Sequence, residues 1–238
     1  MPSVLFDLDD TLFDHHGSAR AALREVHRVH AAAHDFETLE RRHIQFLEEM
    51  HAEVLAGRVG LDDARRERFR RTFAALGVTL DDRAAAAVAA AYRAGFVAAR
   101  RAVDGAADLL AAVRRHARIA IVSNNLADEQ REKLEYCGLA RFVDALVVSE
   151  EAGVSKPDAE IFRIALRRLD ARAEDAVMVG DSWTADVTGA VGAGIRAIWF
   201  NPSRKPVPAD PPGVVQIHAL APALSVLPVI LGAQPTPA

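Results

Sequence analysis

Apolar and polar positions divide this chain into two kinds of territory. Residues 4–8 (VLFDL) form a short apolar run of strand character almost at the start. From about residue 18 to residue 101 there is no convincing strand pattern. Ala, Leu, Arg, Glu and His recur there at helical spacing. This predicts helices over about 18–34, with Ser18 as N-cap, and over 36–57, where Phe36, Leu39, His43, Phe46, Leu47 and Met50 share a stripe. Two more follow over about 61–76, stopped by Gly77, and over about 82–101. Four helices with short connections predict an antiparallel bundle.

From Asp104 the pattern alternates. Helices are expected over 106–116, 128–136, 158–169 and 184–193, and strands over 118–122, 145–148, 176–179 and 195–200. A short strand at 214–217 precedes an apolar C-terminal helix. Apolar strands of four to six residues alternating with amphipathic helices predict an α/β fold with a doubly wound parallel sheet. The strand at 4–8 joins that sheet most simply, which makes the bundle an insertion. The expected division is an α/β core of residues 1–16 plus 102–238 and a helical domain of residues 17–101. Residues 202–212 read as a Pro-rich surface loop and 234–238 as a frayed end.

Composition narrows the class. With 238 residues, half of them hydrophobic and about a quarter charged, the chain can bury a real core. A net charge of −4 without a basic block argues against nucleic acid or an anionic membrane as partner. The single Cys137 excludes an intrachain disulfide framework and fits a reducing compartment. No basic segment precedes the first strand as a secretory signal would, and the longest apolar run, residues 84–92, is far short of a membrane span. A cytoplasmic protein, monomeric or homodimeric, is expected.

The chemistry gathers where strands end. The first run turns acidic at Asp7, Asp9 and Asp10, followed by Thr11. Unpaired carboxylates are costly to bury, so these acids belong at the rim of the sheet, where open α/β sheets bind ligands. Asp7 and Asp9 are two apart and would share a face of an extended chain. The strand at 118–122 ends in Ser123-Asn124-Asn125, and the strand at 176–179 ends in Gly180-Asp181-Ser182, with Asp186 beyond. Ser155-Lys156-Pro157 follows the strand around Val147. A parallel sheet brings these ends to one edge, collecting several carboxylates, one hydroxyl and one ammonium. Carboxylates crowd together only around a cation, and oxygen ligands without nearby Cys or His favour Mg²⁺. Mg²⁺ beside Lys156 and Ser123 would receive a phosphate dianion. Asp7 is then a candidate nucleophile, and Asp9 a candidate acid toward the leaving oxygen and base toward water.

Asp7-Leu8-Asp9-Asp10-Thr11, Ser123-Asn124, Lys156-Pro157 and Gly180-Asp181 through Asp186, in that order, resemble the four motifs of the haloacid dehalogenase-like hydrolase superfamily. The inserted helices resemble the cap of the branch holding phosphoglycolate phosphatases, β-phosphoglucomutases, nucleotidases and the dehalogenases. The resemblance implies a Rossmann-like core and Asp7 as both nucleophile and Mg²⁺ ligand. It implies Asp9 as acid/base, giving the metal its backbone carbonyl. Ser123 and Lys156 would contact phosphate, with Thr11 and Asn124 supporting that phosphate-binding shell. Asp181 would bind the metal directly, and Asp186 directly or through water. True dehalogenases lack the second acid of the first motif, because a halide leaves without a proton. Asp9 therefore favours a phosphatase acting on a small phosphorylated metabolite, with a phosphomutase as the main alternative.

Other features have plainer readings. Gly189, Gly192 and Gly194 are spaced GxxGxG before a strand, the wrong order for a dinucleotide fingerprint, and read as helix termination. Seven of the nine histidines lie between His15 and His51, but no Cys or acid completes a zinc set around His27, His30 and His34. His15 and His16, close in sequence to the acids, together with Arg20 and Arg93, are candidates to touch substrate from the helical domain.

Overall fold

The computed structural model describes residues 1–208, 211 and 213–232. Two compact units emerge, one of residues 1–14 and 101–238, the other of residues 15–100. The expected junctions at 16/17 and 101/102 lie one or two residues away. Within the prolines of 202–212, positions 209, 210 and 212 are outside the described residues, as is the stretch 234–238.

The first unit is an α/β layer structure. Its strands are β1 (Ser3–Phe6), β2 (Arg118–Ser123), β3 (Ala145–Val148), β4 (Ala176–Gly180), β5 (Arg196–Phe200) and β6 (Val215–Ile217). All pair in parallel, in the order β3-β2-β1-β4-β5-β6. Its helices are α5 (Ala106–Val113), α6 (Ala127–Tyr136), α7 (Ser149–Ala152), α8 (Ala159–Arg168), α9 (Gly189–Gly192) and α10 (Ala223–Ile230). All four residues of β1 are buried, as expected of a central strand covered on both faces. Leu5, Val122, Met178 and Trp199 on the sheet pack with Phe162 and Leu166 of α8. Each such side chain contributes roughly 1.5–3 kcal/mol by leaving water.

The strand order places the switch point beside β1. Phe6 aligns with Ile121 of β2 on one side and Val179 of β4 on the other. Asp7 and Asp181, which follow β1 and β4, and Ser123, which ends β2, must therefore emerge along one edge, at the crevice open α/β sheets use for ligands.

The second unit holds α1 (His15–His30), α2 (Phe36–Leu55), α3 (Leu61–Ala74) and α4 (Asp82–Ala99). Helix α1 packs on α4, α2 on α3, and α3 on α4. Asp35 and Asp81 cap α2 and α4 by accepting from the amides of Thr38 and Ala84. The expectation for Ser18 is corrected. Helix α1 begins three residues earlier, and the buried Ser18 hydroxyl donates to the carbonyl of Ala99 on α4. The expected helix over 184–193 also divides, into a π-helical turn over Trp183–Thr188 and the short α9. That wider turn begins where the Ser182 hydroxyl accepts from the Ala185 amide.

Candidate active site

The acids of the first motif sit where β1 runs out. The amide of Asp7 still bonds to the carbonyl of Val179, extending the ladder by one residue. The chain then turns sharply: the amides of Thr11, Leu12 and Phe13 all reach the Leu8 carbonyl, and Asp10 adopts a left-handed φ of 60°. An Asp tolerates that conformation better than most residues.

Around this turn the fold gathers Asp7, Asp181 and Asp186, each offering a carboxylate oxygen within 4.8 Å of the others. Lys156 ties the group together. Its buried ammonium donates to Asp7 Oδ1 at 2.6 Å, to Asp186 Oδ1 at 2.7 Å and to the Val122 carbonyl at 2.7 Å. All three of its protons are thus directed. Thr11 links two strand ends, its hydroxyl donating to Asp7 Oδ2 at 3.1 Å and accepting from the Asp181 amide at 3.1 Å. Asn124 holds Lys156 by its backbone, accepting from the Lys156 amide at 2.7 Å and donating to its carbonyl at 2.8 Å. Asp186 Oδ2 accepts from the Ser182 amide, and Trp199 Nε1 donates to the Asp181 carbonyl.

Gly180 is required where it stands. A Cβ there would overlap the carboxylate and Cβ of Asp186. Gly189, expected as part of a helix stop, serves packing instead: a Cβ would come within 2.9 Å of the Pro157 Cα and 2.8 Å of the Phe162 ring. Gly194, with a φ of 77°, does end that helix.

Charge balance tells what the cluster can hold. Burial raises the Asp7 carboxyl well above its ordinary range; Lys156 opposes that rise, while Asp186 and Asp181 add to it. Asp181 is pushed up to about 7, by burial first and then by Asp186 and Asp10. Lys156 is raised above its usual value: Asp186 and Asp7 outweigh the cost of burying it. Three carboxylates thus share one ammonium, and two of them resist ionising. This hard oxygen donor set fits a divalent cation such as Mg²⁺, whose charge would let all three ionise together.

Asp9 belongs to a different network. Its Oδ1 accepts from Lys133 Nζ at 2.6 Å, and its Oδ2 from Gln130 Nε2 at 3.0 Å and Asn125 Nδ2 at 3.1 Å. Gln130 Nε2 also donates to the Ser123 hydroxyl at 2.5 Å. The expected single ammonium at this edge is therefore corrected to two. Lys133 lies far from Lys156 in sequence, and only the docking of α6 brings it here. Its signal was nevertheless present. On α6 the inward stripe reads Ala127, Gln130, Lys133 and Leu134, placing two polar side chains at buried positions of an amphipathic helix.

In the helical unit, the His15 ring lies tilted at 59° to that of Phe96 with centroids 5.4 Å apart, and Arg20 pairs with Glu40 at 3.1 Å. His27 Nε2 lies 2.7 Å from the His34 carbonyl, a contact within the unit rather than part of a metal set.

Comparison with known proteins adds an independent line. A family model described as haloacid dehalogenase-like hydrolase matches residues 1–194. A ribulose-1,5-bisphosphate 5-phosphatase from Halopiger xanaduensis is 32% identical over 209 residues, 85% of this chain and 86% of that protein. The crystal structure of a HAD-hydrolase from Bacillus subtilis bound to magnesium superposes with a TM-score of 0.77 at 26% identity, covering 97% of this chain and 98% of that one. A 2-haloacid dehalogenase from Pseudomonas syringae pv. Tomato is similar in structure, with a TM-score of 0.65 and 28% identity over 98% and 99% of the two chains.

Proposed function

We propose that this chain, which belongs to the haloacid dehalogenase-like hydrolase family, hydrolyses the phosphomonoester of a small metabolite through an aspartyl-phosphate on Asp7, with Mg²⁺ as cofactor. The observation that carries this reading is the convergence of Asp7, Asp181 and Asp186 within 4.8 Å, with Lys156 bridging two of them. Phosphatases among the curated relatives, including the Halopiger enzyme, support the reaction class. The magnesium-bound relative from Bacillus subtilis supports the cofactor.

The three carboxylates, with the Asp9 backbone carbonyl, would hold the ion, which supplies charge neutralisation to phosphate oxygens. The chain's own groups do the rest. Lys156 holds the Asp7 carboxylate in place and offers positive charge to the phosphoryl group. Ser123, at the end of β2, supplies a hydroxyl to the same oxygens. An Asp7 oxygen attacks phosphorus as the bond to the ester oxygen breaks, and Asp9, entering this step as the carboxylic acid, gives that oxygen its proton and is left as the carboxylate. Water then attacks phosphorus, Asp9 takes the water's proton, and phosphate leaves with Asp7 restored. Asp9 is the feature that sets this reading apart from halide displacement, which needs no proton on the leaving group.

The test is phosphate release from a panel of small phosphomonoesters with Mg²⁺. Turnover is expected for the wild type, and Asp7→Asn should lower it by at least about 1,000-fold while leaving the protein folded. Unchanged turnover by Asp7→Asn would overturn the covalent route. Isomerised product without free phosphate would point to the phosphomutase.

A further inference from the structure

Lys133 is an expensive residue to place where it is. Its side chain is 3% exposed, and an ammonium removed from water must be paired. It lies 5.2 Å from the centroid of the Phe13 ring, with Asp9 Oδ1 at 2.6 Å. One turn earlier, Gln130 is fully buried and divides its amide hydrogens between Asp9 Oδ2 and Ser123 Oγ. Asn125 adds a third donor to Asp9, while its own Oδ1 accepts from the Leu126 amide at 2.9 Å at the start of α6. Three polar side chains from residues 125–133, two of them buried, thus grip both oxygens of one carboxylate. A tether between α6 and the β1 turn would need none of this. A leucine at 133 would pack on Phe13 without the cost of a buried charge.

We propose that Lys133 is a positioning residue for Asp9. Together with Gln130 it fixes the orientation of the acid/base carboxylate and registers it against Ser123. Asp9 lies in a loop, where its side-chain torsions are held only by what touches it, whereas Lys133 and Gln130 project from a helix, a more precise support. Proton transfer in the transition state demands alignment within hydrogen-bond reach, so an acid free to rotate loses most of its value.

This assignment rests on the phosphatase reading above, and its test keeps the two apart. In Lys133→Met, kcat/KM would be compared for glycerol 2-phosphate, whose alkoxide leaves poorly without a proton, and p-nitrophenyl phosphate, whose phenolate leaves readily. That parameter reports steps up to cleavage of the ester bond. The variant is expected to lose about 100-fold with the alkyl ester and less than about 10-fold with the aryl ester. Gln130→Leu should show the same inequality at smaller size, and it carries the comparison if Lys133→Met does not fold. Equal losses on both esters, or none in a folded variant, would overturn the assignment. A crystal structure of either variant is a second readout independent of turnover: Asp9 is expected in a changed or divided orientation, and an unmoved Asp9 would overturn the assignment. Wild-type protein inactive on both esters would instead count against the phosphatase reading.

Discussion

Both units of this protein bury nitrogen-bearing side chains, and they satisfy them in opposite ways. In the α/β unit, Lys156 and Lys133 are each 3% exposed at the side chain and end on carboxylates at 2.6–2.7 Å. In the helical unit, His43 is 3% exposed, yet neither ring nitrogen has a hydrogen-bond partner among the described residues. Its ring centroid lies 4.9 Å from those of Phe69 and Tyr92. The half-buried Arg68 guanidinium lies over the same two rings at 5.0 and 4.9 Å, and its Nε is also without a partner. Burial, reinforced by Arg68, holds His43 well below its ordinary range, so it stays neutral. The paired charges around Asp7 and Asp9 fix the direction of those two carboxylates. The nitrogens of His43 and Arg68 that lack hydrogen-bond partners among the described residues sit against aromatic rings, where packing tolerates polarity at a cost.

The contrast is broken most directly at Lys156. Lys156→Met leaves Asp7 and Asp186 buried without their shared counter-ion, which should cost about 3–5 kcal/mol in urea unfolding and remove phosphate release. A loss below about 1 kcal/mol would mean the pairing is ornamental. Next in size is the response to cation. Mg²⁺ at about one hundred times its dissociation constant should stabilise the wild type by about 2.7 kcal/mol, read as a rise in Tm. Asp181→Asn should remove most of that rise, and an equal rise in both proteins would place the ion elsewhere. Gly180→Ala should cost about 2 kcal/mol and weaken the response to Mg²⁺, because the new methyl displaces the Asp186 carboxylate.

The smallest effect is expected in the helical unit, and its sign is reversed. His43→Leu removes two unsatisfied nitrogens and should be neutral or stabilising by up to about 1 kcal/mol. Its pH dependence is sharper. Unfolded His43 binds a proton near pH 6.5, whereas the folded group does so only well below that. Stability is therefore complete above about pH 6.5 and falls as pH drops toward the folded value, by at most about 1.4 kcal/mol per pH unit. Between pH 7 and 5 the wild type should lose this increment and His43→Leu should not, as urea titrations at each pH would show. Parallel pH profiles would mean that His43 takes up its proton as readily in the fold as in the unfolded chain.

Much of this arrangement was legible before folding. The alternation of apolar runs and helical stripes located the strands, because strands buried on both faces must be apolar throughout. Asp7 and Asp181 were visible because each directly follows such a run, and Lys156 and Asp186 because they lie eight and six residues beyond one; a parallel sheet brings its strand ends to one edge. Ser18 was misread because a buried serine bonding across to another helix looks, in sequence, the same as an N-cap. Gly189 was misread because close approach of Pro157 and Phe162 leaves no local trace.

The linear order of residues determined the elements, the parallel sheet and which side chains stand at its carboxyl edge, since periodicity and strand termination are local properties. Tertiary structure alone decided that Lys156 would serve two carboxylates at once, that Gly180 must yield its Cβ space to Asp186, and that Asp9 is the carboxylate Lys133 and Gln130 reach. Those outcomes depend on how α6, the loop before α8 and the turn after β4 dock against β1 and β4; Lys133 and Asp9 are 124 residues apart and Lys156 and Asp7 149, separations at which packing rather than spacing sets the distance.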